Sequence, residues 1–558
     1  MKQEKSRARL RLKPVAAALG LLCAAPLAHA APATSSWAST NTAAFTDVLS
    51  NAVSRGALKN GDALHVSLSL ALRDRAGLDS FLAEQMRAGS PAFGQTMTRD
   101  QFVAHYAPTA AQVQAVSAYL TKMGFINVTV DANRQLVSAD GTAAIVSSAF
   151  NTRMEGFSVG ERVAYANTLP ARVPSELGGI VLSVLGLQNL VQAHTMTKQA
   201  DLSPAAAQPN AAVATGHVPT EFPALYGVQS TKDASNAKVA IVASGDITQS
   251  ITDLRSFETQ NGLVQIPVTT INVGPLGTDT SGVPEWDLDS QDIQGMAGNV
   301  KKLVFYVITS LANSDLTAGF NQIVTDNSVK IINVSLGECE TGAKLDGSMA
   351  ADDQLFAQAV AQGQVFSIST GDSGSDECGR KRNGQSFPAV SPYVVALGGT
   401  TLYTDAGAYS SEKAWSGGGG GPSIYEPKPS WQAGVGDASF RSVPDVALDA
   451  NPSSGAIIVV NGGSAQYGGT SLSAPLFCGI YARLLSGLGS SLPFPNPTIY
   501  ASAPSNSTYK FLRDVTSGSN GDWTATTGWD YTTGWGSLRI ANYYALVKST
   551  LPSTATAD

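Results

Sequence analysis

From His217 onward, strand-length apolar runs alternate with helix-length segments, and this alternation limits the fold more than any other feature of the chain. Runs at 238–243, 302–308, 330–336, 365–369 and 394–397 are separated by segments such as 316–324 and 352–361. Strands joined through helices lie parallel, and a parallel sheet needs both faces covered. The expectation is therefore an α/β domain over 217–558, a parallel sheet flanked by helices. The stretch 46–193 has a different rhythm. Helical apolar spacing over 110–123 stops at Gly124, a C-cap position, and 125–130 alternates as a strand. Leu136-Val137 and a second helical run near 143–150 continue a smaller α+β unit. Between the two units, 199–216 is Ala- and Pro-rich with nothing able to pack a core, which marks a linker open to proteolysis.

The N-terminus reads as a secretory signal. Lys2, Lys5, Arg7, Arg9, Arg11 and Lys13 precede an apolar run over 15–27, and Ala28-His29-Ala30 offers a small-x-small cleavage site. The run is too short to span a bilayer comfortably. Residues 31–45 are rich in Ala, Ser and Thr and are expected to be flexible. The first thirteen residues carry a net +5, so the formal −7 of the whole chain leaves −12 for the exported part. An acidic product argues against nucleic acid or an anionic membrane as partner. Monomer is the default state. Of the four cysteines, Cys23 leaves with the signal. Cys339 and Cys378 sit in polar, loop-like surroundings and form the preferred disulfide pair. Cys478 follows Leu476-Phe477 and reads as a buried free thiol.

Gly468-Gly469-Thr470-Ser471-Leu472-Ser473-Ala474-Pro475 lies between a strand-like run at 456–461 and an apolar run at 476–485. A glycine turn opening a helix would aim the Ser471 hydroxyl and its backbone N–H at one point. Pro475 is compatible with the first turn of that helix. A serine hydroxyl needs a positioned base. The five histidines, His29, His65, His105, His194 and His217, all precede this turn. With imidazole excluded, a carboxylate becomes the candidate base and the working pH moves into acid.

Pro284 can begin a helix on which Glu285 and Asp289, at i and i+4, share a face, with Asp292 a turn further on. Carboxylates that close repel when both are ionised, so a proton is held between them. Such a pair suits a base with a second carboxyl behind it. An acidic first turn that complements the helix dipole is the plainer account. Ser369-Thr370-Gly371-Asp372 follows a buried strand, at the edge where a parallel sheet places its site. An Asp kept protonated there can donate to an oxyanion, although a Gly-Asp-Ser-Gly sequence is more often only a turn. Asp514-Val515 and Thr526-Thr527-Gly528-Trp529-Asp530 offer carboxylates and loop carbonyls, hard oxygen donors that suit Ca²⁺, with Asx turns as the alternative.

Taken in order, these segments resemble the sedolisins, the serine-carboxyl peptidases, of the bacterial pepstatin-insensitive type. The resemblance is carried by Gly216-His217-Val218-Pro219-Thr220-Glu221-Phe222-Pro223, Glu285-Trp286-Asp287-Leu288-Asp289-Ser290-Gln291, Ile332-Asn333-Val334-Ser335-Leu336-Gly337, Ser369-Thr370-Gly371-Asp372, Gly469-Thr470-Ser471 and Gly528-Trp529-Asp530-Tyr531-Thr532-Thr533-Gly534-Trp535-Gly536-Ser537. Leu120-Thr121-Lys122-Met123-Gly124-Phe125 and Asn133-Arg134 resemble the activation domain of that family.

The resemblance implies a subtilisin-like fold and an acyl-transfer peptidase made as a zymogen. Its parts would be a signal at 1–30, an activation domain at 31–198, a linker with the maturation site at 199–216 and a catalytic domain at 217–558. It implies Ser471 as nucleophile, Glu285 as base, Asp289 as the partner behind it and Asp372 as oxyanion donor. Ser335-Leu336-Gly337 would be the edge that takes the substrate strand, with 417–421 giving backbone access nearby. One structural Ca²⁺ would be bound by the Asp514 and Asp530 side chains and the Val515, Thr526 and Gly528 carbonyls. The implied partners are protein or peptide substrates, with the propeptide as intramolecular inhibitor and chaperone. Acid would protonate carboxylates between the domains and loosen them, with cleavage within 203–216. The rival reading is a secreted binding protein on the same scaffold with its catalysis lost. An ordinary subtilase using Asp246 would lack a histidine where one is needed.

Overall fold

The computed structural model describes residues 36–45, 52–201, 214–379, 384–489 and 491–551. The signal segment and most of the linker, including nearly all of the expected cleavage window, lie outside them. The principal sheet has eight strands. In spatial order it runs Val268–Val273, Val300–Ile308, Ala234–Ser244, Ile331–Val334, Val365–Ser369, Val395–Asp405 and Ala408–Ala414, with Val446–Asp449 paired to Val395–Asp405. All these pairings are parallel except the hairpin between Val395–Asp405 and Ala408–Ala414. The order reverses at Ala234–Ser244, whose neighbours are Val300–Ile308 on one side and Ile331–Val334 on the other. Ligands of such sheets bind at the carboxyl ends of the strands near this reversal.

The expected strands all appear, with one division. The run at 330–336 splits into Ile331–Val334 and a separate strand, Leu336–Cys339, so that Ser335 turns out of the sheet. The helix Thr470–Leu488 packs beneath the sheet and is buried almost throughout. Its length and composition would suffice to cross a membrane, but here it is a core helix. Pro475 lies a turn deeper than expected, inside the helix. It can donate no hydrogen bond to the carbonyl of Ser471, four residues back.

The smaller unit has its own core, built on Leu68, Val116, Leu120, Val137, Val146 and Val184. Four antiparallel strands, Ile126–Val130, Leu136–Thr142, Ala63–Leu70 and Val181–Leu185, carry the helices Ala110–Met123 and Ala143–Ala149. Gly124 closes the first helix at φ 95°, as its sequence position predicts. The expected flexible stretch 31–45 is corrected in part, because Trp37–Ser39 forms a strand against Arg172–Pro174.

The two units share a polar seam. Asn133 donates to Asn321 (2.6 Å), Gln354 accepts the Leu72 amide (3.0 Å), and Gln188 donates to Asp346 (2.7 Å). Burial drives Glu338, Asp346, Asp352 and Asp353 upward, and Asp346 adds repulsion at Glu338 and Asp352. These groups hold their protons more tightly in the folded chain than in the unfolded one, so their contribution to stability is greatest in acid and is lost as pH rises through the folded values. That direction is opposite to a seam loosened by acid. The Tm of an uncleavable Ser471→Ala chain is expected to fall as pH is raised from about 5 to about 8, the range above ordinary carboxylate titration. Calorimetry showing a Tm that rises over this interval would refute it.

Candidate active site

Four side chains from three segments of the chain meet at the carboxyl edge of the sheet. Glu285 and Asp289 lie on the helix Val283–Ala297, started by Pro284 and buried on nearly every face. Their i, i+4 spacing sets both carboxyls on one side, as the sequence predicts. Ser471 opens the helix Thr470–Leu488, after Gly469 at φ 107°. Asp372 follows the central strand Val365–Ser369.

The carboxyls form a graded chain. Asp289 is fully buried and accepts from Ser335 (2.7 Å), which in turn accepts from Asn333 (2.9 Å). Burial, and then Glu285, pushes Asp289 well above the usual carboxylate range. Glu285, 1% exposed, is pushed up to about 8, chiefly by burial, while its hydrogen bonds and the nearby Ser471 hydroxyl favour the charged form. That hydroxyl is close without being engaged. Ser471 Oγ and Glu285 Oε1 have no partner that meets hydrogen-bond geometry. Its place in the first turn of the helix, which has no side-chain cap, leaves the Ser471 N–H without an intrahelical acceptor.

Asp372 is 7% exposed and is pushed up to about 7 by burial, against donation from Thr470 and the nearby Lys198 charge. Its Oδ1 accepts both the Thr470 amide (2.7 Å) and the Thr470 hydroxyl (2.9 Å). The proton of the neutral acid therefore belongs on Oδ2, the oxygen left without a partner. A carboxyl held by one oxygen with a proton on the other can donate into the cleft.

The cleft holds the end of the smaller unit. His194–Thr195 pairs antiparallel with Leu336–Cys339, in register His194 to Gly337 and Thr195 to Leu336. Lys198–Gln199 pairs with the opposite wall, Gly463–Gly468, with Lys198 opposite Gly468. Between these pairings the Met196 amide (2.9 Å) and the Thr197 hydroxyl both donate to Glu285 Oε2. The Met196 side chain, 2% exposed, places its sulfur 3.2 Å from Ser369 Oγ. Its carbonyl oxygen and Asp372 Oδ2 both lie against Gly469, so closely that a side chain there would strike each. Glycine at 469 is thus required twice, by its φ and by close approach.

Sequence reasoning located Ser471, Glu285, Asp289 and Asp372, and the fold brings all four together. It also identified the Ser335-Leu336-Gly337 edge. It missed Met196, Thr197 and Lys198, which carry no motif, and Glu377, which returns across the loop to accept the Ser373 amide (2.7 Å) beside Asp372. The paired cysteines are Cys339 and Cys378, with Cys478 a buried thiol, as expected. That bridge ties the edge strand to the Asp372 loop. Gly417–Gly421 packs against the same loop, with the Gly419 amide donating to Gly371 (2.8 Å). His217 is engaged elsewhere, with Glu221 (3.1 Å).

The expected calcium residues also converge. Asp514 accepts the Gly528 amide (2.9 Å) and Asp530 the Thr526 amide (2.9 Å). Burial, and then the nearby Asp530 charge, raises Asp514. Among the described residues, no hydrogen bond reaches the carbonyls of Val515, Thr526 or Gly528. No group of three or more His, Cys, Asp or Glu stands in metal-binding array among the described residues, so any ion here would depend on carbonyl donors.

Residues 50–190 match the family described as Pro-kumamolisin, activation domain, and residues 276–536 match the subtilase family. Sedolisin of Pseudomonas sp. (strain 101) is 45% identical over 553 residues, covering 93% of this chain and 94% of that one. The chain belongs to the sedolisin family. Xanthomonalisin of Xanthomonas sp. (strain T-22) is 42% identical, over 88% of this chain and 66% of its own. The solved structure of Pseudomonas sedolisin (serine-carboxyl proteinase), complexed with two molecules of pseudo-iodotyrostatin, superposes with TM-score 0.58, at 45% identity, over 60% of this chain and 99% of that one. As a sedolisin-family chain it is a serine-type peptidase with a subtilisin-like catalytic domain and an activation domain ahead of it.

Proposed function

We propose that the chain is the zymogen of a secreted, acid-active endopeptidase in which Ser471 is the nucleophile, Glu285 its base, Asp289 the partner of Glu285 and Asp372 the oxyanion donor. The observation that supports the reading is the Met196 backbone, whose carbonyl oxygen and Asp372 Oδ2 both lie against Gly469 while its amide donates to Glu285. Ser471 Oγ attacks a peptide carbonyl carbon as Glu285 takes the hydroxyl proton. The carbonyl oxygen becomes an oxyanion, met by the Asp372 O–H and the Ser471 N–H. Collapse breaks the C–N bond, and Glu285 returns the proton to the departing amine. Water then repeats the sequence on the acyl-enzyme.

Latency follows from the same contacts. A base raised to about 8 by burial under the tail carries its own proton through the acid range, so it cannot take another. Departure of the tail admits water, which would return Glu285 toward ordinary carboxylate behaviour against the loss of the Met196 and Thr197 donors that favour its charged form. Residues 31–198 would then be the activation domain, 199–216 the linker and 217–558 the catalytic domain, following a signal at 1–30. The deciding experiment is hydrolysis of a denatured protein across about pH 3 to 7, the span of carboxylate and imidazole titration, with the chain followed on a gel. Turnover confined to acid and accompanied by loss of the N-terminal unit supports the reading. Turnover independent of Ser471 would refute it.

One Ca²⁺ fits the C-terminal site. Asp514 and Asp530 would hold it with the Val515, Thr526 and Gly528 carbonyls, a hard-oxygen set. The ion would offset the repulsion between the two carboxylates and fix both loops. A ligand that binds only the folded chain raises its Tm, so chelation should lower Tm by roughly 5 °C. Asp514→Asn should remove that sensitivity. A wild-type melting curve unchanged by chelator would rule out the ion.

A further inference from the structure

The tail passes from one wall of the cleft to the other as an extended strand, and its side chains report what each subsite accepts. With the attack of Ser471 proposed at the Met196 carbonyl, Met196 would lie on the acyl side and Thr197 would begin the leaving side. Lys198, the second residue beyond Met196, extends over the Trp415 ring, with its Nζ 5.5 Å from the ring centroid. The same ammonium donates to the main-chain carbonyl of Asp372. We propose that the Trp415 face and the Asp372 carbonyl form a leaving-side subsite for a basic side chain, so that this peptidase favours lysine or arginine two residues beyond the residue that acylates Ser471. The inference rests on the proposed attack of Ser471 at the position held here by the Met196 carbonyl.

The wall is built in advance. Trp415 is 8% exposed, its amide is bonded to Gly399 (3.0 Å), and its ring packs so tightly on Gly417 that a methyl there would overlap it. A cation over such a fixed ring is attracted by the ring quadrupole at little cost in side-chain ordering. The carbonyl adds a directed acceptor. Neither partner titrates, and a lysine or arginine stays charged throughout the acid range, so the preference should persist wherever the enzyme is active. Glu377 lies near enough to Lys198 for the ammonium to favour its charged form.

The backbone on both sides supports the register. Thr195 is paired to Leu336 before the crossing and Lys198 to Gly468 after it, so the extended segment leaves only Met196 and Thr197 to span the floor of the cleft. A substrate strand bound by the same backbone pairing would place its second leaving-side residue against Trp415.

The test uses the full chain after its own processing in acid and quenched peptides of one sequence, Met-Thr-X-Gln at the centre. X is lysine, norleucine or glutamate, so norleucine keeps much of the reach and removes the charge. Lysine should exceed norleucine in kcat/KM by about five- to tenfold, with glutamate lowest, and mass spectrometry should place the cut after Met. Trp415→Leu should bring the lysine-to-norleucine ratio within about twofold, and Trp415→Phe, which keeps more of the packing, should give an intermediate ratio. Equal kcat/KM for lysine and norleucine in the wild type, a cut at another bond, or a full ratio in a folded Trp415→Leu protein would each overturn the subsite. Cleavage of both peptides by Ser471→Ala would instead overturn the catalytic reading on which it rests.

Discussion

Ser471→Ala should lower peptide hydrolysis by at least about 10⁴-fold and leave the chain at full length in acid. The Ser471 side chain is fully buried and makes no hydrogen bond that the fold needs, so its removal costs little packing. The variant should therefore fold, keep the tail in the cleft and accumulate as intact zymogen. Two readouts separate the outcomes, a fluorogenic peptide for turnover and a gel for processing. Loss of both with an unchanged melting curve places the chemistry at Ser471. Normal processing with lost turnover would mean that another protease removes the N-terminal unit.

The second large effect concerns Asp372. Only its protonated form can donate to an oxyanion, and burial keeps that form present up to about pH 7 in the intact chain. The sign is direct: activity that needs the acid form is full below this value and falls as pH rises through it. Asp372→Asn presents an N–H donor at every pH, so the high-pH decline should flatten while activity in acid stays measurable. Asp372→Ala has no donor and should lose about 10²–10³-fold at all pH values, the usual cost of one oxyanion donor. An Asn variant that keeps the wild-type decline would assign that limb to the Glu285–Asp289 pair. Departure of Lys198 with the tail removes a charge that holds Asp372 down, while added solvent acts in the opposite direction, so the mature enzyme sets the final position.

At the seam, burial rather than the number of acidic residues sets the direction of the response to acid. Acidic residues between the domains suggest a contact loosened when acid protonates them, yet burial, with repulsion from Asp346, raises Glu338 and Asp352, so protonation favours the folded chain. Whether a carboxyl is buried or solvated decides the sign of its response, and burial is not written in residue type. Under the proposed mechanism, any acid dependence would therefore belong to Asp372 and the Glu285–Asp289 pair rather than to the seam.

The sequence by itself determined the parallel sheet, the separate α+β unit, the glycine turn that carries Ser471 and the paired carboxyls at 285 and 289. Each of these rests on local periodicity, on spacing along one helix, or on the absence of histidine after 217, all of which are properties of a short stretch of chain. Only the tertiary structure decided that Asp372 keeps Oδ2 free while Thr470 occupies Oδ1, that Glu377 returns beside it, and that Met196, Thr197 and Lys198 fill the cleft. Thr197 lies 88 residues before Glu285 and Lys198 lies 174 before Asp372, distances over which sequence pattern carries no register. What brings them together is the pairing of a short strand to two walls of another domain, a contact fixed by packing rather than by any motif.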